Sequence, residues 1–391
     1  MQPLKMTIPG QYWDSQIYSG RLYLFGISGN IITLDWDGII SNWKTKDSLK
    51  LALKCAFLRS NYLYGRDLDD LVKDREIKPI IENKFKELSK IELQITKSQI
   101  KKYILGEQDN KFPFPHSDSE IYHKTIYIGS RDGIHSANCD KTTKYPVSTK
   151  LTKQWDSPVF ALSGSYGNLA IAAGDEGLYE ISINPYSFPD EAIRNLSNDN
   201  CINCNWTFYS IYASSFNNPG FLVQYDKVRS LRNEFERNKY ERIFNKILTE
   251  DNIFHESGYS WGVQDKLCLI SDNKLHIVKY NPWQKDDNKI FVDHGIVRFE
   301  RWKGNVISGK NAVFGIIIEC DNAIIVIPSL GNNITIPGEP INWRVFPRSK
   351  HYENQLHIIY EDRLEIYSFN HDYLVDQESK VKGIQVFPST R

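Results

Sequence analysis

The chain of 391 residues lacks most marks of enzymes, membrane proteins and nucleic-acid binders. It has no charge excess: 48 Lys and Arg stand against 48 Asp and Glu. That balance excludes a globally basic nucleic-acid binder or an acidic tail protein, though not a local patch. Long apolar runs are missing as well. The longest, Ala312 to Ile318, is seven residues including one Gly, far below the ~20 that a membrane-spanning helix needs. The opening residues MQPLKMTIPGQYWDSQ hold no apolar signal segment, so the expectation is a soluble, cytoplasmic protein with no membrane contact.

Cysteine is sparse and scattered, at Cys55, Cys139, Cys201, Cys204, Cys268 and Cys320. Only Cys201-Ile-Asn-Cys204 forms a CxxC, and no second ligand pair lies at a zinc-site spacing from it, so no metal is expected there. The motifs G-x-x-x-x-G-K-[ST], G-x-G-x-x-G, G-x-S-x-G and H-E-x-x-H are all absent. No cofactor and no catalytic residue follow from the remainder. His276 and His357 fall in strand-like segments, and His116, His123 and His135 are too loosely grouped for a metal site.

The informative presence is a repeat. Six segments share an apolar strand, a tight polar turn and a second strand: Leu22–Trp36, Thr125–Cys139, Leu169–Ile183, Leu267–Tyr280, Phe314–Ser329 and Leu356–Phe369. Starts at 125 and 169 are 44 residues apart, those at 267 and 314 are 47 apart, and those at 314 and 356 are 42 apart. The interval from 169 to 267 holds a weaker unit, Phe208–Ser214 followed by Gly220–Tyr225. First-strand candidates precede several hairpins at Val159–Ser163, Tyr259–Val263, Asn305–Ser308 and Trp343–Phe346. A period of 40–50 residues is that of a four-stranded propeller blade. The fold expected is all-β: a single β-propeller over residues 1–391 with seven blades, six or eight being the neighbouring counts. An extra strand pair at Leu51–Leu58 would make eight, and Gly383–Pro388 is a candidate to close the first blade.

In period and hairpin layout the chain resembles the WD40-like β-propeller superfamily. Trp-Asp pairs occur at Trp13-Asp14, Trp36-Asp37 and Trp155-Asp156, but at non-equivalent places in their units. The resemblance therefore implies a fold and carries over no site residue.

Two segments break the strand pattern. Residues 66–104 are charged, with Ile77, Ile81, Phe85, Leu88, Ile91 and Ile95 recurring at steps of three or four. That spacing predicts a helical insertion, divided at Pro79 with its longer helix starting near Lys78. Residues 227–250 place Val228, Leu231, Phe235, Ile243 and Ile247 at spacings that predict a second helical insertion, carrying a net +4 between Lys227 and Lys246.

With the repeats accounting for the core, the expected function is a non-catalytic scaffold or sensor subunit that binds protein partners through these insertions. The candidate contacts are Lys84, Lys97, Lys101 and Lys102 in the first, and Arg229, Arg232, Arg237, Lys239, Arg242 and Lys246 in the second. Two alternatives stay open. One is a carbohydrate-active or ligand-binding propeller, drawing on acids such as Asp14, Asp35, Asp175, Glu319 and Asp362 and on Trp13, Trp155, Trp261 and Trp343. The other is nucleic-acid contact through the basic stretch 227–246.

Overall fold

The computed structural model describes residues 2–58, 74–139, 146–183, 193–216, 218–229, 240–284, 286, 289–298, 304–328, 332–349 and 351–369. The strands form seven small sheets, antiparallel but for one short parallel pair, the blades of a seven-bladed β-propeller. Numbered along the chain, blade 1 has strands Tyr12–Tyr18, Arg21–Gly26, Asn30–Asp35 and Ile104–Asp109. Blades 2 to 6 are each four consecutive strands, beginning at His116, Ala161, Asn203, Tyr259 and Val306. Blade 7 is built from Asn342–Val345, Gln355–Ile359 and Arg363–Ser368, with Leu4–Pro9 as its fourth strand. All six hairpins and the weaker unit read from the sequence are present, as are the four first-strand candidates.

The molecule divides into two compact units. One holds blades 1, 6 and 7 with the segment after Asp35, and the other holds blades 2 to 5.

In the first unit, the segment between Asp35 and Ile104 explains the long interval from 22 to 125. Helix α1 (Trp36–Ser41) is capped by the Asp35 side chain, which accepts from the Gly38 N–H at 2.9 Å. Helix α2 (Asp47–Phe57) occupies most of the proposed strand pair Leu51–Leu58. Its apolar residues Leu49, Ala52, Leu53 and Ala56 recur at three and four, which buries one helical face rather than a pleated one. Helix α3 (Ile77–Leu88) starts one residue before Lys78, and Pro79 sits in its first turn, where a missing N–H costs nothing. Residues 59–73, and with them most of the shorter helix expected before Pro79, lie outside the described residues. The short helix α4 (Lys97–Ile100) follows a strand of two residues, Leu93–Gln94, that pairs parallel to Met6–Thr7.

These helices pack; they do not project. Leu49, Leu53, Phe57, Phe85 and Leu88 join one core cluster with Leu4, Met6, Ile8, Leu364 and Ile366. The end of α2 is also fixed by hydrogen bonds. A helix C-terminus leaves carbonyls without intrahelical partners. Here the Ala56 carbonyl accepts from Asn354 at 2.9 Å and Ser368 at 2.7 Å, and the Phe57 carbonyl accepts from Trp36 at 2.6 Å and Gln355 at 3.0 Å.

That last bond orients a buried histidine. With its amide N–H held by Phe57, Gln355 turns its Oε1 toward His357 Nε2, 3.3 Å away. His357 therefore donates from Nε2 and accepts at Nδ1 from Ser15 Oγ, 3.1 Å away. Ser15 and His357 are fully buried, so this serine–histidine pair has no access to a substrate. Burial, helped by the Arg344 charge and opposed by Asp14, pushes the His357 pKa down to about 3. Below the free value near 6.5 the unfolded chain then binds a proton that the folded one refuses. Stability is thus lost as pH falls from about 6.5 toward 3, by ~1.4 kcal/mol per unit. Urea unfolding midpoints should fall between pH 6.5 and 4.5 in the parent chain and flatten in His357→Gln. An unchanged slope in the variant would remove His357 as the cause.

The second unit overturns one expectation. Residues 227–229 end a long strand, Phe221–Arg229, and 240–249 form its partner, Tyr240–Thr249. The helical insertion expected over 227–250 is a strand pair at both of its ends; residues 230–239 lie outside the described residues. The physical reason is that a spacing of four, as between Ile243 and Ile247, fits one face of a strand and one face of a helix alike. Within the strand pair Phe244 pairs with Tyr225 and Lys246 with Gln224, so Asn245 is a bulge residue. A true helix, α5 (Glu250–Phe254), begins only afterwards.

Blades 3, 4 and 5 share a core of Trp206, Tyr212, Leu222, Leu267, Tyr280 and their neighbours. Side-chain bonds join adjacent blades of this unit: Trp206 Nε1 donates to the Ser163 carbonyl at 2.6 Å, and Leu162 N–H donates to Asp118 at 2.8 Å.

Candidate interaction face

The first residues to place are the candidate cations. Lys84 is part-buried on α3 and bonded to Glu87 at 3.0 Å, while Lys97, Lys101 and Lys102 are exposed on α4 and the 3₁₀ turn after it. Arg242 does not face outward. It donates to Glu180 at 2.8 Å and lies over the rings of Trp206 and Tyr225, at 4.7 and 4.0 Å. It is a cation stacked between blades 3 and 4, desolvated and paired. Lys246 is exposed on the outer strand of blade 4. The Arg229 side chain and all of Arg232, Arg237 and Lys239 lie outside the described residues.

The candidate acids each have a neighbour of their own. Asp14 is fully buried and ion-paired with Arg344. Asp35 caps α1, Asp175 accepts from Asn200 at 2.6 Å, and Asp362 pairs with Arg363 at 2.8 Å. Glu319 accepts from Ser308 at 2.6 Å and from Trp343 Nε1 at 2.8 Å. All six cysteines are free and buried, and burial pushes the Cys201 thiol up to about 12, so the CxxC is a packing pair. Among the described residues no group of three or more His, Cys, Asp or Glu is placed to hold a metal ion. No helix of these residues is long and apolar enough to cross a membrane.

One surface of the second unit was missed from the sequence. In blades 2 to 5 the turn between the second and third strands, and the connection into the next first strand, lie at the same end of the sheets. Bulky rings stand uncovered there. Phe114 precedes the first strand of blade 2 and is 41% exposed. Phe160 precedes that of blade 3 and is 47% exposed, its ring lying over the turn at Gly174, where φ is +63° and a Cβ would come within 2.6 Å of it. Phe216, in the second turn of blade 4, is 57% exposed and stacks at 5.6 Å on Tyr259, the first residue of blade 5.

Acids surround these rings. The turns carry Asp132, Asp175, Glu176 and Asp272, and the connections carry Asp156, Asp199 and Asp251, all exposed. Asp156 pairs with Lys153 at 2.6 Å; Asp199 and Asp251 accept from Ser197 and Ser257 at 2.7 Å each. Among the described residues of these turns and connections, Arg131 and Lys111 are the exposed Lys or Arg, and Lys111 pairs with Asp109 at 3.7 Å.

The turn that carries Phe216 is fixed from beneath. Glu250, buried at the start of α5, accepts from Gly220 N–H at 3.1 Å, Ser260 Oγ at 2.7 Å and Gly258 N–H at 3.3 Å. Ser260 in turn accepts from Tyr212 Oη at 2.8 Å. One carboxylate thus ties the turn carrying Phe216 to the strand carrying Tyr259. Such a face is pre-organised, which lowers the entropy cost of binding. In sequence, Phe reads as core, and the signal that could have marked these residues is a Phe beside a proline turn: Phe114-Pro115, Pro158-Val159-Phe160 and Phe216-Asn217-Asn218-Pro219.

No protein-family model matches this chain, and no curated protein matches it. Among solved structures it is similar to a chain in the crystal structure of the mitotic checkpoint complex, at 11% identity and a TM-score of 0.42, covering 68% of this chain and 77% of that one. It is similar to the WD40 β-propeller domain of Doa1 at 12% identity and a TM-score of 0.38, covering 63% and 75%. It is also similar to the computationally designed Ika8 protein at 8% identity and a TM-score of 0.45, covering 94% and 100%. These likenesses concern the fold alone, and that fold is defined by the chain's own seven sheets as a seven-bladed β-propeller.

Proposed function

We propose that this protein is a non-catalytic scaffold or sensor subunit that holds protein partners in a larger complex. The observation that carries the reading is the uncovered ring set Phe114, Phe160 and Phe216 at one end of blades 2 to 5, with the turn of Phe216 anchored by Glu250. Exposed aromatics on a rigid support are what a binding hot spot is made of. The contact surface is this end of the sheets; the helices after Asp35 spend their apolar faces on the core instead.

The test uses the double variant Phe160→Ser, Phe216→Ser in the full chain. Both rings are about half exposed, so its melting temperature should stay within a few degrees of the parent. Proteins that co-purify with the parent in stoichiometric amounts from its native host should be lost from the variant. A variant of unchanged melting temperature that keeps the same partners would refute the assignment of this face.

A further inference from the structure

We infer that the loop end of blades 2 to 5 takes a basic segment of a protein partner, one in which Lys or Arg side chains alternate with bulky apolar ones. This rests on the scaffold reading above and names its partner. The apolar half of the argument is Phe160 over Gly174 and the stacked pair Phe216–Tyr259, which offer ring faces to a side chain inserted between loops. The charged half is the segregation of acids. The whole chain is neutral, yet the turns and connections at this end expose seven carboxylates against two cations, Arg131 and Lys111, among their described residues.

The opposite end of the same sheets differs. Its turns between first and second strands are His123-Lys124, Tyr166-Gly167, Phe208-Tyr209 and Gln264-Asp265, and the one acid among them, Asp265, is buried against Lys266 at 2.7 Å. At that opposite end Lys124, Lys150, Asp286 and Lys289 are the exposed charges among the described turn residues, and Tyr166 and Trp283 are exposed rings. It is the excess of exposed acids that sets the loop end of blades 2 to 5 apart and makes it the negative one. A cationic segment would be steered to that end, and its Arg or Lys groups would meet both carboxylates and ring faces. A phosphate backbone would be repelled there, which places a nucleic acid among the outcomes that overturn the inference.

Four fluorescent probes read by anisotropy on the full chain decide it: a short peptide of arginines alternating with phenylalanine and leucine, the same arginines spaced by serine, glutamates alternating with phenylalanine and leucine, and a single-stranded oligonucleotide. The Arg/Phe/Leu peptide should bind in about the micromolar range at low salt and weaken severalfold at high salt. The Arg/Ser peptide should bind at least ~10-fold more weakly, and the Glu peptide and the oligonucleotide should not bind. Asp175→Asn, Glu176→Gln, Asp199→Asn together should weaken the first peptide by ~5-fold or more while leaving the rings in place. Equal binding of the acidic peptide or the oligonucleotide, or no loss in the neutralised variant, would overturn the inference. If no peptide binds but Phe160→Ser, Phe216→Ser still sheds the native partners, the scaffold face stands and only the basic partner falls. If those partners survive the double substitution, the face itself is wrong.

Discussion

Arg344→Ala should cost the protein about 3–5 kcal/mol, a large share of the 5–15 kcal/mol that stabilises a typical domain. The reason lies in what it leaves behind. Asp14, in the first strand of blade 1, has no accessible surface. Arg344, in the first strand of blade 7, meets it with two guanidinium nitrogens, Nε on Oδ1 and Nη2 on Oδ2 at 2.7 Å. Asn342 Nδ2 and the Ser15 N–H complete the carboxylate at 3.3 and 2.7 Å. Truncating the arginine strands a desolvated charge, whose cost exceeds the worth of the pair itself. Denaturant unfolding of Arg344→Ala, Asp14→Leu and the Asp14→Leu, Arg344→Met double variant would check it. The double variant should recover much of the loss, because it removes both charges. A loss under ~1 kcal/mol in the alanine variant would mean that water reaches the site.

Phe85→Ala should cost a similar ~3–5 kcal/mol, although it lies in a segment read from sequence as a helical insertion into the repeats. Phe85 is 1% exposed within the cluster that α2 and α3 form with blades 1 and 7. Ile80, five residues earlier on the same helix, is 59% exposed and should cost under ~1 kcal/mol as alanine. The contrast separates a packed helix from a projecting one. If α3 stood away from the blades, both substitutions would be mild and alike. The same packing means that excising residues 70–102 would open the core rather than trim a handle.

The blades were legible because each hairpin is a local event. In Thr125–Asn138 two apolar strands flank Arg131-Asp132, and pairing within 14 residues needs no information from elsewhere. What stayed hidden was set by distant or compensated contacts. Leu4–Pro9 has no local sign that its partner is Arg363–Ser368, and Gly383–Pro388, a candidate to close the first blade, lies outside the described residues. In the stretch after Lys227, spacings of four such as Ile243 to Ile247 suit a strand face as well as a helix face, and the partner strand that decides between them is not visible locally. Several turns also carry unexpected residues in the left-handed region, such as His123, Tyr166 and Phe208, where Gly or Asn would have announced the turn. Of the candidate face, the acids were visible as turn residues. Their company was not, because whether a Phe is covered depends on loops from two blades.

The closure of blade 7 also sets a timetable. Lys5 and Glu365 meet across 360 residues of chain. At ribosomal speeds of ~5–20 residues per second, the strand Leu4–Pro9 waits roughly twenty seconds to over a minute for its partner to be made. Throughout that wait Leu4, Met6 and Ile8 lack the strand that covers them, and blades 1 and 7 cannot share a core. Blades 2 to 5 are under no such delay, since each is assembled from strands that emerge in succession. Blades built of consecutive strands can form as they emerge, while blade 7 must stay unfinished until Arg363–Ser368 has been made, and chaperone protection of its first-made strand would count most during that wait.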